Sequence, residues 1–184
     1  KTIRELETIN KKQELCFGRV QVTETLNGYK KMRFDKELEK INQMLPPKTF
    51  ETEAIWFDIP QKIVNKIIEQ NMEPIAGMHA IEHAMIGMMP YYCMCDKRDI
   101  GGMSIYSNQT TARIYIYDGC EGGIGINEKA FQLFKQLLQI AHKHIKECKC
   151  KKGCPSCIYS NKCGNANQSL DKKTALKILN EIDD

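Results

Sequence analysis

Thr111-Ala112-Arg113-Ile114-Tyr115-Ile116-Tyr117-Asp118 leads through Gly119-Cys120-Glu121-Gly122-Gly123-Ile124-Gly125 into a run from Asn127 to Lys146 whose apolar residues are Ala130, Phe131, Phe134, Leu137, Leu138, Ala141 and Ile145. The first piece is rich in β-branched and aromatic residues and is the clearest strand in the chain. The glycines mark a turn, and the three-and-four spacing that follows predicts one long amphipathic helix. A strand turning directly into a helix that carries one apolar stripe needs a sheet to cover.

The rest of the chain supplies that sheet. Phe17 to Thr25 alternates, Asn27-Gly28 is a favoured two-residue turn, and Tyr29 to Phe34 returns, which predicts a β-hairpin. Asp35 to Lys48 is charged, ends in Pro46-Pro47 and reads as a surface connection. Phe50 to Ile59 reads as a strand with Phe50, Thr52, Ala54 and Trp56 on one face and Glu51, Glu53, Ile55 and Phe57 on the other, Trp56 being a packing residue. Pro60 closes it and opens a helix through Ile63, Val64, Ile67 and Ile68.

From Ala76 to Met89 a helix is expected whose face of Ala76, Ala80, His83, Ala84 and Gly87 is read as small and admits a close neighbour, with Pro90 as its stop. Tyr91 to Met94 then reads as a short buried strand, Asp96 to Gly102 as a charged loop, and Leu170 to Ile182 as a last short helix. The expected fold class is therefore α+β (mixed α/β), a β-sheet packed by helices, with a cysteine-rich C-terminal segment.

That segment packs five of the nine cysteines between Cys148 and Cys163. Tetrahedral zinc takes four thiolates from a short turning backbone, and Gly153 and Pro155 supply the turns, so Cys148, Cys150, Cys154, Cys157 and Cys163 offer five donors for four places. Four thiolates leave no open position for water, which makes the role structural.

At 184 residues the chain is long enough for one compact unit with a small metal-held appendage. Hydrophobic residues at 42% and charged residues at 27% are ordinary globular values. No apolar run approaches the roughly 18 residues a spanning helix needs, so no membrane contact is expected. The first residues, Lys1 to Glu7, mix both charge signs and fit neither a signal nor a transit peptide, and the missing initial methionine suggests an excised piece. Nine cysteines without a secretory signal point to a reducing compartment, the cytoplasm by default.

The net charge of +4 is concentrated: Lys143, Lys146, Lys149, Lys151, Lys152, Lys162, Lys172 and Lys173 face only Glu147 and Asp171 in that stretch. Two readings stand side by side. Phosphates of a nucleic acid attract such a patch, and so does a zinc tetrathiolate, which carries two formal negative charges.

Other constellations carry chemistry on paper. His79, Glu82 and His83 spell His-x-x-Glu-His, the signature of inverted zinc peptidases, and share a helix face. Nothing downstream identifies a third ligand, so packing or a polar network is the stronger reading. Asp118 to Gly125 looks like a phosphate cradle, yet Glu121 repels an anion and glycines also permit tight strand-to-helix packing. Asp96, Lys97, Arg98 and Asp99 form a salt-bridge network near Asp118 and Glu82, guide a nucleic-acid strand, or are merely solvated. Cys93 and Cys95 read as a buried inert pair, and Cys16 and Cys120 carry no assignable chemistry.

Taken together, Phe50 to Trp56, Gly77-Met78-His79-Ala80-Ile81-Glu82-His83-Ala84, Met94 to Gly102, Tyr117-Asp118 with Gly122-Gly123-Ile124-Gly125, and Gly153-Cys154-Pro155-Ser156-Cys157 fall in one order. In that order the chain, from about Cys16 onward, resembles the MrfA-type zinc-binding domain (MZB, DUF1998) found at the C-terminus of DEAD/DEAH-like superfamily 2 DNA helicases. The resemblance implies a domain over 16–184 with its zinc segment at 147–167, and a connecting segment over 1–15. It implies one structural zinc ion on Cys148, Cys150, Cys154 and Cys157, with Cys163 as the alternative to Cys148. It also implies a non-catalytic accessory role in DNA repair or phage defence, with DNA and helicase motor domains as partners and Lys149, Lys151, Lys152 and Arg98 as candidate DNA contacts. The sequence holds no Gly-x-x-x-x-Gly-Lys-Ser/Thr loop and no Asp-Glu-x-His box, so ATP hydrolysis would belong to a parent protein or a separate subunit. Two other readings remain: a zinc-dependent hydrolase using the His-x-x-Glu-His helix, and a stand-alone scaffold subunit of a repair or defence complex.

Overall fold

The structure, a computed structural model, describes residues 1–12, 14–26, 28–33, 36–107 and 111–183. Strand β1 (Thr2–Lys12) pairs with β2 (Leu15–Glu24), β2 with β5 (Lys48–Asp58), β5 with β7 (Thr111–Asp118) and β7 with β6 (Ile100–Ser107), all antiparallel, in one five-stranded sheet of order β1-β2-β5-β7-β6. A separate two-stranded ribbon, β3 (Tyr29–Arg33) with β4 (Lys36–Ile41), is inserted between β2 and β5. The helices are α1 (Gln61–Glu69), α2 (Pro74–Cys93), α3 (Ile126–Gln132), α4 (Phe134–Glu147) and α5 (Lys172–Asp183). Antiparallel strands with helices gathered on them make this an α+β fold, as the sequence pattern predicts.

The alternation along β5 sorts its side chains into two cores. Ile55 and Phe57 join the large core beneath the helices, while Phe50, Ala54 and Trp56 join Val20, Val22, Tyr115 and Tyr117 in a smaller one on the opposite face. Over that smaller core the sheet curls. Glu5 of β1 reaches the Tyr115 hydroxyl at 2.6 Å, and Lys1 reaches the Tyr117 hydroxyl at 3.0 Å, although two strands lie between β1 and β7. Arg113 completes this face, gripping Asp58 with two bonds of 2.6 and 2.7 Å and also meeting Glu5. Residues 1–15, expected as a connecting segment, are thus mostly an edge strand of the sheet.

Helix α2 sits at the centre of the large core. Met78, Ala80, Ile81, Ala84, Met85 and Met89 are all fully buried, as a helix apolar on every side requires. A close neighbour, α5, does pack on α2 at Gly77, whereas Gly87 of the expected small-residue face has open space beside it. A Cβ at Gly77 would stand 2.6 Å from Thr174 Cγ2, and the two helices would be forced apart. No helix among the described residues is long and apolar enough to cross a membrane.

Four local expectations are corrected. The expected hairpin of Phe17–Thr25 with Tyr29–Phe34 does not form, because β2 already has β1 and β5 on its two edges. β3 instead pairs with β4 inside what reads as a connection: its lysines have no core to face, and Lys30 meets Glu37 at 2.7 Å across the ribbon. Asn27 and Phe34, on which that turn and strand rested, lie outside the described residues. Pro90 lies inside α2 rather than ending it, since proline removes one hydrogen bond while the next turn keeps Tyr92 and Cys93 against the core. Tyr91 to Met94 is therefore not a strand; the helix ends where Met94 takes a left-handed φ of 55°.

Two further corrections concern glycine and leucine. Ile100-Gly101-Gly102 opens β6, which glycines disguise in the sequence, and a Cβ at Gly102 would stand 2.5 Å from the Glu82 carboxylate. The single helix over 127–146 is two helices, broken at Leu133, so that Phe131 packs at a tilt on Phe17 and Phe134 meets Phe57 edge-on at 4.9 Å.

Candidate metal centre

Helix α4 ends at Cys148, whose extended backbone turns the chain away from the helix axis. Residues 150–153 double back through Gly153, whose φ of 132° suits a residue without a side chain, and a Cβ there would strike Ile158 and Tyr159 at 2.7 Å. The Cys154 carbonyl then accepts the amides of Cys157, Ile158 and Tyr159, a tight turn that brings Cys154 and Cys157 to the same side. Only Cys157 and Ile158 are buried between Cys148 and Asp171, so this segment has almost no apolar core of its own.

The result is a cluster of four sulfurs. Cys148 lies 3.5 Å from both Cys150 and Cys154, Cys150 lies 3.5 Å from Cys157, and Cys154 lies 3.6 Å from Cys157. A tetrahedron of Zn–S bonds of about 2.3 Å has edges of about 3.8 Å, so the four thiols fit a zinc ion with little adjustment. Without metal their protons are shared unevenly. Hydrogen bonding from the Cys150 backbone and neighbouring sulfurs holds the Cys148 thiol low, whereas burial pushes Cys157 high. A metal ion removes that disparity because every ligand then binds as thiolate.

One lysine answers the question of charge. Lys172, buried at the start of α5, turns inward and donates to the Cys148 carbonyl, to the Cys150 carbonyl at 2.9 Å and to Cys150 Sγ at 3.5 Å. It both neutralises thiolate charge and fixes the backbone that carries two ligands. Lys149, Lys151 and Lys152 behave otherwise: all are exposed, with no ion-pair partner among the described residues. Lys172 thus serves the sulfurs, whereas Lys149, Lys151 and Lys152 face solvent. Arg98 is exposed too, but it folds back on Asp96 at 3.1 Å within a capped turn at Lys97–Asp99.

Cys163 is elsewhere. Its sulfur lies 3.6 Å from His79 Nε2, and it forms with His79 and His83 a second group of potential metal donors. The two imidazoles, one turn apart on α2, sit edge-to-face with centroids 4.5 Å apart. His83 Nδ1 donates to the Ile158 carbonyl at 2.7 Å, and His79 holds a backbone contact at Ser169. Burial lowers the basicity of both rings, His83 to about 4. Glu82, the remaining polar residue of the motif, faces the sheet; it accepts the Ser104 hydroxyl at 2.6 Å, and burial raises its carboxyl to about 7.

The glycine loop is closed by the chain itself. The Asp118 carboxylate accepts the amides of Ile124 at 2.7 Å, Ile126 at 3.3 Å and Asn127 at 3.1 Å, and the Asn127 side chain at 2.6 Å. The anion at the start of α3 is therefore an internal aspartate, and the amides are not available to a phosphate. Cys93 and Cys95 flank the end of α2 and belong to neither donor group among the described residues; burial pushes the Cys93 thiol to about 11. His79, His83 and Cys163 open onto a cleft of about 1040 Å³ that also receives Lys97, Arg98 and Lys162. Sequence reasoning missed Lys172, the Asp118 cap and the meeting of Cys163 with the histidines. The first two had only a position beside a cluster or a turn as their signal, and the third joins residues 80 or more positions apart.

Comparison with known proteins follows the same outline. The model of the MrfA Zn-binding domain matches residues 81–158, which contain His83 of α2, the Asp118 cap and all four clustered cysteines. The chain is 44% identical over 111 residues to the uncharacterized protein MJ1572.1 of Methanocaldococcus jannaschii, covering 57% of this chain and 98% of that protein. It is 28% identical over 191 aligned residues to the ATP-dependent helicase hrq1 of Schizosaccharomyces pombe, covering 94% of this chain but 18% of the helicase. A crystal structure of the DUF1998 helicase MrfA bound to DNA superposes with a TM-score of 0.63 over 98% of this chain and 24% of that one, at 24% identity. The fold is shared with that structure.

Proposed function

The chain belongs to the MrfA Zn-binding domain family, and on that premise we propose that it serves as the C-terminal accessory domain of a superfamily 2 DNA helicase. In this reading zinc, held by Cys148, Cys150, Cys154 and Cys157, shapes a non-catalytic module over 16–184 that supports DNA contact or docking of the motor. Residues 1–15 lead from the motor into the sheet. The work is DNA repair or phage defence in the cytoplasm, and ATP hydrolysis belongs to the motor.

The observation that carries this reading is one of extent: 94% of the chain aligns with 18% of an ATP-dependent helicase, a domain-sized slice of a larger machine. The exposed lysines at 149, 151 and 152 add a surface suited to backbone phosphates. Fluorescence anisotropy with a labelled DNA duplex, repeated across salt concentrations, tests the contact. The wild-type chain is expected to bind weakly with a steep salt dependence. Lys149→Ala/Lys151→Ala/Lys152→Ala is expected to weaken binding and reduce the slope by about 1 per lost phosphate contact. An unchanged slope would remove these lysines from the interface, and Arg98→Ala tests the fourth candidate in the same assay.

One observation favours a second reading, a stand-alone scaffold subunit. The protein MJ1572.1 is hardly longer than the 111 residues matched, since they cover 98% of it, which leaves no room there for a motor. Such a subunit would co-purify with a separate helicase and show no DNA affinity alone.

A further inference from the structure

The His-x-x-Glu-His turn of α2 and Cys163 are unexplained by the four-sulfur cluster, yet the fold brings them together from opposite ends of the domain. We propose that His79, His83 and Cys163 form a second metal site, for a borderline divalent ion such as Zn²⁺, that clamps the 158–171 segment onto α2.

Three features of the geometry support it. First, histidines at i and i+4 on a helix present two imidazoles to one point, and these two have a thiol beside them. Zn–N bonds of about 2.0 Å and Zn–S bonds of about 2.3 Å in a tetrahedron place N and S about 3.5 Å apart, and Cys163 Sγ lies 3.6 Å from His79 Nε2. Second, the outer ring nitrogen is already committed. His83 Nδ1–H donates to the Ile158 carbonyl, which fixes the tautomer and leaves the Nε2 lone pair free; the Ser169 backbone also contacts His79. Ligating histidines characteristically have such a carbonyl behind them. Third, the donor set is N₂S, which suits zinc or cobalt and not magnesium or calcium.

Three protein ligands leave a fourth place facing the cleft, for water or an anion. Hydrolytic chemistry is not what the site is built for: Glu82, the residue that would act as base in an inverted zinc peptidase, is turned to the sheet and held by Ser104. The clamp has a structural consequence instead. Ala166, Asn167 and Ser169 all have left-handed φ values of 51°, 59° and 55°, a conformation non-glycine residues keep only where the surroundings hold them. A metal joining Cys163 to α2 would be such a hold, immediately upstream of these residues.

The test is metal content. The purified full chain, dialysed against excess Zn²⁺ and then against buffer, is analysed for zinc, with circular dichroism to verify folding. Two equivalents are expected for wild type, and one for His79→Ala/His83→Ala and for Cys163→Ser. A wild-type chain holding one equivalent, or variants still holding two, would overturn the proposal. Should either variant fail to fold, Co²⁺ titration of the apo wild-type chain decides: a second equivalent with weaker sulfur-to-cobalt absorption than the first supports the N₂S site, and saturation at one equivalent contradicts it.

Discussion

The sheet with its central helix and the segment from Cys148 to Asp171 are held by different physics. Along α2 and β7 almost every inward side chain is fully buried, including Ile81, Met85, Ile114 and Ile116, so apolar burial alone favours that arrangement. Between Cys148 and Asp171 only Cys157 and Ile158 are buried, and the chain is instead pinned by four sulfurs, one inward lysine and the His83 bond to Ile158. The first region is stabilised in proportion to area. The second is stabilised by a few directional bonds to a common point, which makes it short, independent of a core of its own, and dependent on metal.

Substitutions should separate the two regimes. The largest effect is expected for Cys154→Ser, which removes a ligand shared by two sulfur neighbours and forfeits much of a binding free energy on the order of 10 kcal/mol. Zinc analysis should show the cluster's equivalent lost, while the near-ultraviolet circular dichroism of buried Trp56 and Tyr115 persists. Ile81→Ala should do the opposite. A cavity in the core costs about 2–5 kcal/mol, read as a lower urea midpoint, with zinc content unchanged in the folded protein. Smallest is Lys172→Met, which keeps the side chain's length but withdraws the ammonium from Cys150. Roughly 10- to 100-fold weaker zinc binding in a chelator competition is expected, without loss of the fold. Equal zinc affinity for Lys172→Met would show that the lysine acts only as a packing residue.

The same division explains what could be read from the sequence. Features set by local pattern were legible: β5 and β7 with their alternating faces, α1 after Pro60, α5, and the cysteine spacing that gives a four-sulfur site. Features set by competition among distant partners were not. β2 reads as half of a hairpin until β1 and β5 take its two edges, and β6 is hidden because its glycines make room for Glu82 and Tyr117. Pro90 looks like a stop because the sequence does not show how much core lies beyond it. Lys172 stands among eight nearby lysines with nothing local to mark it as the one that turns toward sulfur.

Hydrogen exchange followed by mass spectrometry, on the zinc-loaded chain and on the same chain after chelation, tests the contrast most directly. Amides of residues 154–166 should lose protection when zinc is removed, because the turns at Cys154 and Cys163 then lack their anchor, while β2, β5, β7 and α2 keep theirs. Loss of protection throughout the sheet, or full retention in the cysteine segment, would contradict the division between a core held by burial and a segment held by metal.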